Sequence, residues 1–352
     1  MHLAIGSEST EQVRAELAGK RIAIVRLSAI GDVIHVLPLV SSIRAAVPGA
    51  HVTWFIQPTP WELVQHHSGV DEFVLFERRP LLRSLERLRR EMRGREFYVL
   101  LAPHTSLKAG LVTALLRSPR KIGFDRARAP ELNWLFTTER IPARPRGHMQ
   151  DEVLEFVDYL EIPRRLEWGI EPTDDERERY SALLPPSDRP TVALATASTL
   201  ASKDWPAERF AELADRLEGE LGARSILVGG RSGAELAAVA TIQRLARSRP
   251  PDLGAWDLRR LTYLIDRADV LVSPDTGPLH IGVALGTPSV ALIGYTNPKR
   301  VGPYRFRELM VDAFGDPGEA YEATAGYREG RMERIGVGQV VAKVREALEG
   351  LR

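Results

Sequence analysis

The 352-residue sequence contains no cysteine, which excludes disulfide bonds and thiolate metal sites and suits a protein of the cytosol. It also lacks a run of about 18 apolar residues, so the sequence predicts no transmembrane helix. Its first 20 residues lack the basic and apolar segments of a secretory signal peptide, and we expect no such signal. These absences exclude a disulfide-stabilised fold and a helical membrane span.

An excess of charge of one sign is also missing, since 48 Lys and Arg oppose 47 Asp and Glu. The distribution is nevertheless uneven, because residues 1–165 carry 24 basic and 19 acidic side chains and the remainder carries 24 and 28. Eight arginines lie between Arg78 and Arg95. A second cluster comprises Arg117, Arg120, Lys121, Arg126 and Arg128. Solvated helices carry such charges too, but two clusters in one half favour an anionic partner.

The first half alternates strand and helix patterns. We expect strands at residues 21–27, 52–56, 73–76 and 97–101, and helices at 33–47, 106–116 and across the arginine-rich segment. This alternation predicts an α/β fold with a parallel sheet covered by helices. Ligands bind beyond the carboxyl ends of such strands, so the loop 28–32 after the first strand is a predicted site.

Two residues of that loop are candidates. Gly31 lets a ligand approach the backbone closely, and Asp32 stands at the start of the next helix. Asp32 has two interpretations, an N-cap of the helix or a general base. Asn caps a helix about as well as Asp but cannot accept the proton. Asp32→Asn is therefore expected to retain the melting temperature and to lose the base.

A segment rich in proline and acidic residues, 162–190, is typical of a connection between domains. A second βα series follows it, with strands expected at 191–195, 225–228, 270–273 and 289–293. Helices are expected at 207–221, 233–245 and 258–267. Two similar halves predict an active site in the cleft between them.

The most informative stretch is 270–298, VLVSPDTGPLHIGVALGTPSVALIGYTNP. It predicts strand, loop, helix and strand in succession. Pro278 suits the first turn of a helix because its missing N–H costs nothing there, and Gly286 suits the position after the helix end. The helix is expected to run from Leu279 to about Leu285.

The start of this helix is a predicted phosphate site. Its unpaired N–H groups lie beside the hydroxyl of Thr276 and beside Gly277, which has no side chain. Asp275 is able to accept sugar or ribose hydroxyl groups, and His280 is able to donate to a phosphate oxygen. A plainer alternative is that Asp275 caps the helix and His280 is a semi-buried structural histidine.

Further polar groups follow the strand 191–195. Ser198 and Thr199 can donate hydrogen bonds, and Lys203 supplies a positive charge. With the helix start on the other side, a pyrophosphate would be held from two directions. Gly229 and Gly230, after the next strand, permit close approach of a nucleotide.

Several stretches now match one pattern in order along the chain. They are IVRLSAIGDVIHVLPLV, RKIGFDRAR with the His148 region, SKDWPAERFAEL and SPDTGPLHIGVALGTPSVALIGYTNP. From about Arg21 onward the chain resembles glycosyltransferase family 9, the ADP-heptose:lipopolysaccharide heptosyltransferases of Gram-negative bacteria. The paired Gly-Asp and Asp-Thr-Gly-x-x-His motifs favour the functional interpretations of Asp32 and Asp275.

The resemblance implies a GT-B fold, two Rossmann-like domains facing across a cleft. Residues 1–170, with 1–20 as an extension, would bind the acceptor, and 171–335 would bind the nucleotide sugar. A carboxyl-terminal helix within 336–352 would cross back to the first domain. The implied activity is inverting, metal-independent and cofactor-free transfer of a heptose from ADP-heptose to an anionic inner-core lipopolysaccharide acceptor. We expect a cytoplasmic protein with peripheral contact at the inner membrane and no nucleic-acid partner.

The resemblance also implies residue roles. Asp32 matches the general base, and Lys203 matches the lysine that holds the donor phosphates. The implied donor set comprises Ser198, Thr199, Glu235, Asp275, Thr276, Gly277 and His280, with Glu235 as the candidate for ribose binding. The basic clusters add Arg120 and Lys121 to Gly31 as expected acceptor contacts. The basic loop 295–300 is assigned to neither substrate.

Two other classes of function remain open on the residues. An NDP-sugar epimerase shares this architecture but needs acid and base groups around the donor sugar itself. A nucleotide-binding scaffold without catalysis would retain the Asp275 loop and have no need of Asp32. A dinucleotide dehydrogenase is disfavoured, because the first βα turn lacks GxGxxG.

Overall fold

The computed structural model describes residues 7–196, 200–324 and 326–351. The chain forms two compact units, the first ending at Gly169 and the second beginning at Ile170. Each unit has one parallel β-sheet with its own buried core. Within the described ranges, no helix has the length and apolar composition needed to cross a bilayer.

The N-terminal unit contains a six-stranded sheet in the order β3-β2-β1-β4-β5-β6. Its strands are β1 (Arg21–Val25), β2 (His51–Ile56), β3 (Glu72–Leu75), β4 (Val99–Ala102), β5 (Arg120–Gly123) and β6 (Glu139–Arg140). All neighbours are parallel, and Ile22 in β1 lies between Val52 and Val99. The carboxyl ends of the strands therefore share one edge, which positions the loop after β1.

Helices of this unit connect successive strands. They are α1 (Ser7–Leu17), α2 (Ile30–Ala46), α3 (Pro58–Val64), α4 (Leu81–Glu91), α5 (Leu107–Leu115) and α6 (Met149–Tyr159). The core between sheet and helices includes Val25, Phe55, Leu100 and Val112, each fully buried. The expected strand and helix order is confirmed, and β5, β6, α3 and α6 are additional.

Helix α2 begins at Ile30, three residues before the expected start. Its N-cap is Ala29, and the peptide bond between Ser28 and Ala29 is cis. Asp32 is consequently the third residue of the helix and not its N-cap. The loop between β1 and α2 is shorter than expected, and the Asp32 side chain lies within the first helical turn.

The C-terminal unit has a five-stranded sheet in the order β11-β10-β9-β7-β8. Its strands are β7 (Thr191–Ala195), β8 (Arg224–Val228), β9 (Val270–Pro274), β10 (Ser289–Ile293) and β11 (Val311–Asp312). Its helices are α7 (Asp174–Tyr180), α8 (Ala207–Leu221), α9 (Gly233–Leu245), α10 (Leu258–Asp266), α11 (Gly277–Leu285), α12 (Pro298–Val301) and α13 (Val337–Glu349). Strands and helices again alternate, as the sequence predicts.

Helix α13 packs within the C-terminal unit. Its residues Val340, Val341 and Val344 are buried in the core that also contains Phe210 of α8 and Val272 of β9. These contacts fix the helix to its own unit. A crossing to the N-terminal unit stays a prediction, since the contacts described for α13 lie in the second unit.

The first residues of the C-terminal unit are fastened by one buried arginine. Arg259 of α10 pairs with Glu176 of α7 at 2.7 Å and donates to the carbonyl oxygens of Ile170 and Glu171. The segment 170–180 is therefore part of the second unit. Of the proline-rich segment 162–190, only residues 162–169 belong to the N-terminal unit.

Candidate functional site

Asp32 lies at the carboxyl edge of the N-terminal sheet, in the first turn of α2. Its Oδ2 accepts a hydrogen bond from the Ala29 N–H at 3.1 Å and pairs with the Arg26 guanidinium at 2.6 Å. The side chain is 35 % exposed, and Oδ1 has no partner among the contacts of the described residues. One carboxylate oxygen is thus fixed while the other is open to a ligand.

Arg26 sets the charge state of this carboxylate. Burial would raise the pKa of the Asp32 carboxyl, but Arg26 and then the Ala29 N–H outweigh burial and hold that pKa below its usual range. The guanidinium itself is buried and also donates to the carbonyl oxygen of Pro103 at 2.5 Å. Asp32 is therefore ionised at neutral pH, as a general base must be.

The same ion pair revises one expectation drawn from helix capping. Asn at position 32 would leave the buried Arg26 cation without its counter-charge, and breaking a buried pair is destabilising. We therefore expect Asp32→Asn to lower the melting temperature, although Asn accepts the Ala29 N–H about as well.

His104 is a second titratable group beside Asp32, on the loop after β4. Burial and the charge of Arg26 lower the pKa of His104 to about 3, so the ring is neutral at pH 7. Its Nδ1 accepts the Leu27 N–H at 3.2 Å, which assigns the proton to Nε2. That nitrogen lies 3.0 Å from Ser106 Oγ and donates to it. The neutral ring braces the loop without adding charge.

Gly31 lies beside Asp32 in the first turn of α2. Its expected contact with an acceptor stays a prediction.

Arg120 and Lys121 lie elsewhere, because they begin β5 and strand starts are at the opposite edge from Asp32. The Arg120 guanidinium forms two hydrogen bonds with the carboxylate of Glu139, at 2.9 and 3.1 Å. Lys121 Nζ donates to the carbonyl oxygen of Thr113 at 3.0 Å, and burial lowers its pKa. Both side chains have structural partners, so their placement does not support the expected acceptor contact.

The central motif builds a polar cluster at the carboxyl edge of the C-terminal sheet. Asp275, directly after β9, is buried and uses both carboxylate oxygens. Oδ2 accepts from Lys203 Nζ at 2.8 Å and from Thr296 Oγ1 at 2.7 Å. Oδ1 lies 3.4 Å from His280 Nε2. Three side chains from separate segments thus converge on one carboxylate.

These neighbours determine the ionisation of Asp275. Burial alone would raise its pKa, but His280 and Lys203 outweigh burial and hold the pKa of this carboxyl well below its usual range. The carboxylate is therefore a permanent negative charge inside the unit. Asp275 is not the helix cap, since the N-cap of α11 is Thr276, and its expected contact with a sugar or ribose hydroxyl stays a prediction.

Lys203 is positioned by this carboxylate. Its ammonium donates to Asp275 Oδ2 and to the Asp275 carbonyl oxygen at 3.1 Å, and an ammonium has three N–H donors. Among the described residues no acceptor is found for the third N–H, and 24 % of the side chain is exposed. The geometry is that of a pre-oriented cation at the mouth of the site.

Helix α11 starts beside this cation. Its N-cap is Thr276, and no side chain of the described residues accepts a hydrogen bond from its first turn. Pro278 lies in that first turn and Gly286 follows the last, with φ of 79°, as the sequence predicts. The Thr276 hydroxyl donates to the Pro274 carbonyl oxygen at 3.3 Å and lies 3.2 Å from Ser273 Oγ. The backbone N–H groups of the first turn are therefore the donors that the helix start offers next to Lys203.

Glu235 holds its own loop together. Its carboxylate accepts from the N–H of Gly230 at 2.6 Å and from the N–H and hydroxyl of Ser232 at 2.9 and 2.6 Å. Gly229 has a φ of 138°, which favours glycine, and a Cβ at Gly230 would lie 2.8 Å from a Glu235 oxygen. Oε1 makes one of these bonds and retains one acceptor position, so ribose binding stays a prediction.

Ser198 and Thr199 lie outside the described residues. Their predicted contact with the donor phosphates stays a prediction. Thr196 and Lys203, which are described, lie at the same edge as Asp275.

Sequence reasoning missed four side chains at these edges. Arg26 and Thr296 act through Asp32 and Asp275, and His104 follows β4, so a search of every strand end would have found them. Trp256 follows Ala255, whose N–H donates to the Gly229 carbonyl oxygen at 2.9 Å. This tryptophan is 68 % exposed, which is unusual for so large an apolar side chain.

Comparison with known proteins agrees with this geometry. The family model for glycosyltransferase family 9 (heptosyltransferase) matches residues 85–317. The lipopolysaccharide core heptosyltransferase OpsX of Haemophilus influenzae is 29% identical over 299 residues, which cover 84% of this chain and 85% of the relative.

Solved structures show the fold. The glycosyl transferase family 9 structure from Veillonella parvula superposes with a TM-score of 0.81 at 23% identity, covering 95% of this chain and 98% of that one. E. coli heptosyltransferase WaaC with ADP-2-deoxy-2-fluoro heptose superposes with a TM-score of 0.73 at 20% identity, and the match covers 93% of this chain and 99% of that one. The fold is GT-B, with two Rossmann-like units. With the motifs around Asp32 and Asp275 in place, the chain belongs to glycosyltransferase family 9 and is a glycosyltransferase.

Proposed function

We propose that the protein transfers a heptose from ADP-heptose to a hydroxyl group of an inner-core lipopolysaccharide acceptor, with inversion at the anomeric carbon. Family membership supports sugar transfer, and the names of the relatives support heptose and lipopolysaccharide core as its substrates. The observation that carries the proposal is the Lys203–Asp275 ion pair beside the uncapped start of α11. An ammonium and free N–H groups at one point are suited to a leaving diphosphate.

Asp32 is the proposed base of the reaction. The acceptor hydroxyl passes its proton to Oδ1 as its oxygen bonds to the anomeric carbon, and the bond from that carbon to the diphosphate breaks. ADP leaves with the electron pair. The fixed Oδ2, held by Arg26 and Ala29, keeps Oδ1 in a constant orientation during the transfer.

The donor half is proposed to work without a divalent cation. The third N–H of Lys203 and the N–H groups at the start of α11 bind the diphosphate where its negative charge increases as it leaves. Ser198 and Thr199 add hydroxyl donors in this proposal, and Thr276 adds one when its hydroxyl turns from the Pro274 carbonyl oxygen to the diphosphate. His280 orients Asp275. The exposed ring of Trp256 and the loop held by Glu235 offer a surface for the nucleoside.

The N-terminal unit is the proposed acceptor-binding unit, and the C-terminal unit is the proposed donor-binding unit. Basic side chains on the Asp32 edge suit an anionic acceptor, because Arg126 and Arg144 follow β5 and β6 and are exposed. We place the reaction in the cytoplasm, at the inner face of the membrane that carries the acceptor.

The test is incubation with ADP-heptose, with and without an inner-core acceptor, in EDTA, followed by mass spectrometry and NMR of the new linkage. We expect a heptosylated acceptor of inverted anomeric configuration and free ADP. If incubation without acceptor changes the configuration at a carbon of the donor sugar, the protein is an epimerase. Binding without any product would identify a scaffold, and retention of configuration would contradict direct displacement.

A further inference from the structure

An exposed apolar cluster lies between β5 and β6 and takes no part in the chemistry proposed above. Leu132 is 46 % exposed and directly precedes a short 3-10 turn, Asn133–Phe136. Leu135 lies within that turn and is 56 % exposed. Leu107, the first residue of α5, is 44 % exposed. We call Leu107, Leu132, Trp134 and Leu135 the apolar patch.

The patch is held on a rigid element. Asn133 Nδ2 donates to the carbonyl oxygen of Ser106 at 3.3 Å, which fixes the turn against the start of α5. The Phe136 ring covers Gly110, where a Cβ would lie only 2.4 Å from a ring atom. Leu107 is three residues before Gly110 and shares its helix face. The exposed leucines are therefore carried by two elements that pack together, α5 and the turn.

Arginines surround the apolar side chains. The guanidinium of Arg126 lies 4.8 Å from the centre of the Trp134 ring, and that of Arg140 lies 5.4 Å from it. Arg140 also donates to the Trp134 carbonyl oxygen at 3.3 Å. The one exposed acid of the turn region is Glu131. Leucine and tryptophan with flanking arginines match the chemistry of a surface that lies on anionic lipid headgroups.

The backbone supports a role for Leu132. Its φ is 63°, in the left-handed region that a leucine adopts at a conformational cost and that Gly or Asn adopts readily. A leucine that is both strained and half exposed contributes little to the fold. Its side chain is better explained by a contact outside the protein.

The patch also adjoins the proposed base. Ser106, the residue before Leu107, lies 3.0 Å from His104 Nε2, and the charge of Asp32 acts on His104. A surface bound at the patch would be next to the loop on which an acceptor hydroxyl meets Asp32. This position suits an acceptor that is anchored in the same surface.

We propose that the apolar patch docks the protein on a membrane that contains anionic lipid. The inference rests on the proposed function in one respect, that the acceptor is anchored in that membrane. The leucines and Trp134 enter the headgroup region, and Arg126 and Arg140 pair with lipid phosphates.

The arginine-rich helix α4 is the competing surface. It exposes one large apolar side chain, Leu82, which is 76 % exposed. Two of the arginines in its segment are already paired, Arg87 with Glu77 and Arg95 with Glu72. Interfacial binding needs apolar area as well as charge, which favours the patch. Leu82→Asp is therefore the matched control.

The experiment measures co-sedimentation with phosphatidylcholine vesicles, with and without phosphatidylglycerol, for the full chain and for Leu132→Asp/Leu135→Asp. We expect the double variant to bind anionic vesicles about tenfold more weakly, while Leu82→Asp binds as the wild type does. Leu132→Asn should weaken vesicle binding and leave the melting temperature equal or higher. That result separates a docking role from a structural one.

Transfer to two acceptors completes the test. We expect the double variant to have a raised KM for a lipid-embedded acceptor and an unchanged KM for the same acceptor without its acyl chains. Wild-type vesicle binding by the double variant, or a patch buried in a dimer in solution, would overturn the proposal. If patch-dependent binding is found without transfer to either acceptor, the docking surface stands and the proposed function fails.

Discussion

Asp32 and Asp275 both lie at the carboxyl edge of a parallel sheet and near the start of a helix, Asp32 in the first turn of α2 and Asp275 between β9 and α11. Each pairs with one cation, Arg26 at 2.6 Å and Lys203 at 2.8 Å. Asp32 retains an open oxygen and is one-third exposed, whereas Asp275 is buried with both oxygens engaged.

The difference shows that surroundings, rather than residue type or motif, divide the two roles. In the N-terminal unit the arginine is buried and the carboxylate faces outward. In the C-terminal unit the carboxylate is buried and the lysine faces outward. In the proposed mechanism, the first arrangement presents a base and the second presents a cation. Substitutions that alter one member of each pair should therefore have different kinetic signatures.

The largest effect is expected for Asp32→Asn. Transfer should fall by roughly 10² to 10⁴, because Asn cannot take the acceptor proton, while donor affinity is retained. The measurement is kcat with donor binding by calorimetry. Asp71→Asn is the control, since Asp71 also accepts a backbone N–H and pairs with an arginine, Arg44. Both variants should lose melting temperature, but a comparable loss of transfer in both would remove Asp32 from the base role.

Lys203→Ala follows. Losing a donor to the departing diphosphate costs about 2 to 4 kcal/mol of transition-state stabilisation, or about 30- to 1,000-fold in rate. Lys343→Ala, which removes an exposed lysine paired with Glu346, should have no effect on transfer. Kinetics of both variants in EDTA provide the measurement. Wild-type activity that stops in EDTA and returns with Mg²⁺ would contradict the assignment of this task to Lys203.

Asp275→Asn sharpens the comparison directly. Without the carboxylate, Lys203 loses its charged hydrogen bond, which corresponds to about 1.5 kcal/mol and a rise of about tenfold in donor KM. The acid limb of the pH profile should not move, because Asp275 accepts no proton in the reaction. A variant with normal donor KM and a shifted pH profile would reverse the roles assigned to the two aspartates.

Arg26→Gln should move the acid limb of kcat/KM. In the wild type Arg26 holds the pKa of Asp32 below its ordinary value of about 3.9, so the ionised base persists down to lower pH. The Arg26–Asp32 ion pair stabilises the folded protein at pH values above about 3.9. This stabilisation is lost as the pH falls through the pKa that Asp32 has in the folded protein. Without Arg26, burial raises the pKa of Asp32. The acid limb of kcat/KM and the pH at which stability is lost should then both shift to higher pH. Arg44→Gln, remote from the loop, should leave the activity limb in place.

The smallest effect is expected for Arg120→Ser and Lys121→Ser. Their partners are Glu139 and the carbonyl oxygen of Thr113, so stability should decrease while acceptor KM stays within about twofold. Arg144→Ser, on the Asp32 edge, should raise acceptor KM with stability unchanged. A raised acceptor KM in the Arg120 and Lys121 variants, with stability unchanged, would support these two residues as acceptor contacts.

Much of the fold could be predicted because its signals are local. The β-branched run Val270–Pro274, the position of Pro278 and the φ of Gly286 follow from neighbouring residues, and β7, α8 and α9 have the expected bounds. Strand β5 was missed because it is short and begins with Arg120 and Lys121, whose charges resemble a surface loop. Parallel pairing with β4 makes this segment a strand although its own sequence pattern does not indicate one.

The site was less predictable because its decisive contacts join distant segments. Lys203 and Asp275 are 72 residues apart, and Leu27 and His104 are 77 apart. Motifs indicated which residues matter, but not that Asp275 orients Lys203 or that Arg26 pairs with Asp32. The positive charge of Arg120 makes it an acceptor candidate in the sequence, but its position at the start of β5 depends on strand pairing with β4.

The ion pair between Lys203 and Asp275 also bears on the release of the product. In the proposed reaction ADP leaves with more negative charge on its terminal phosphate than it had as a sugar ester. An isolated lysine would bind that product more tightly than the substrate. Asp275 keeps its bonds to the same ammonium throughout, so the lysine remains neutralised after ADP departs. A site that is balanced in charge while empty favours turnover over retention of its own product.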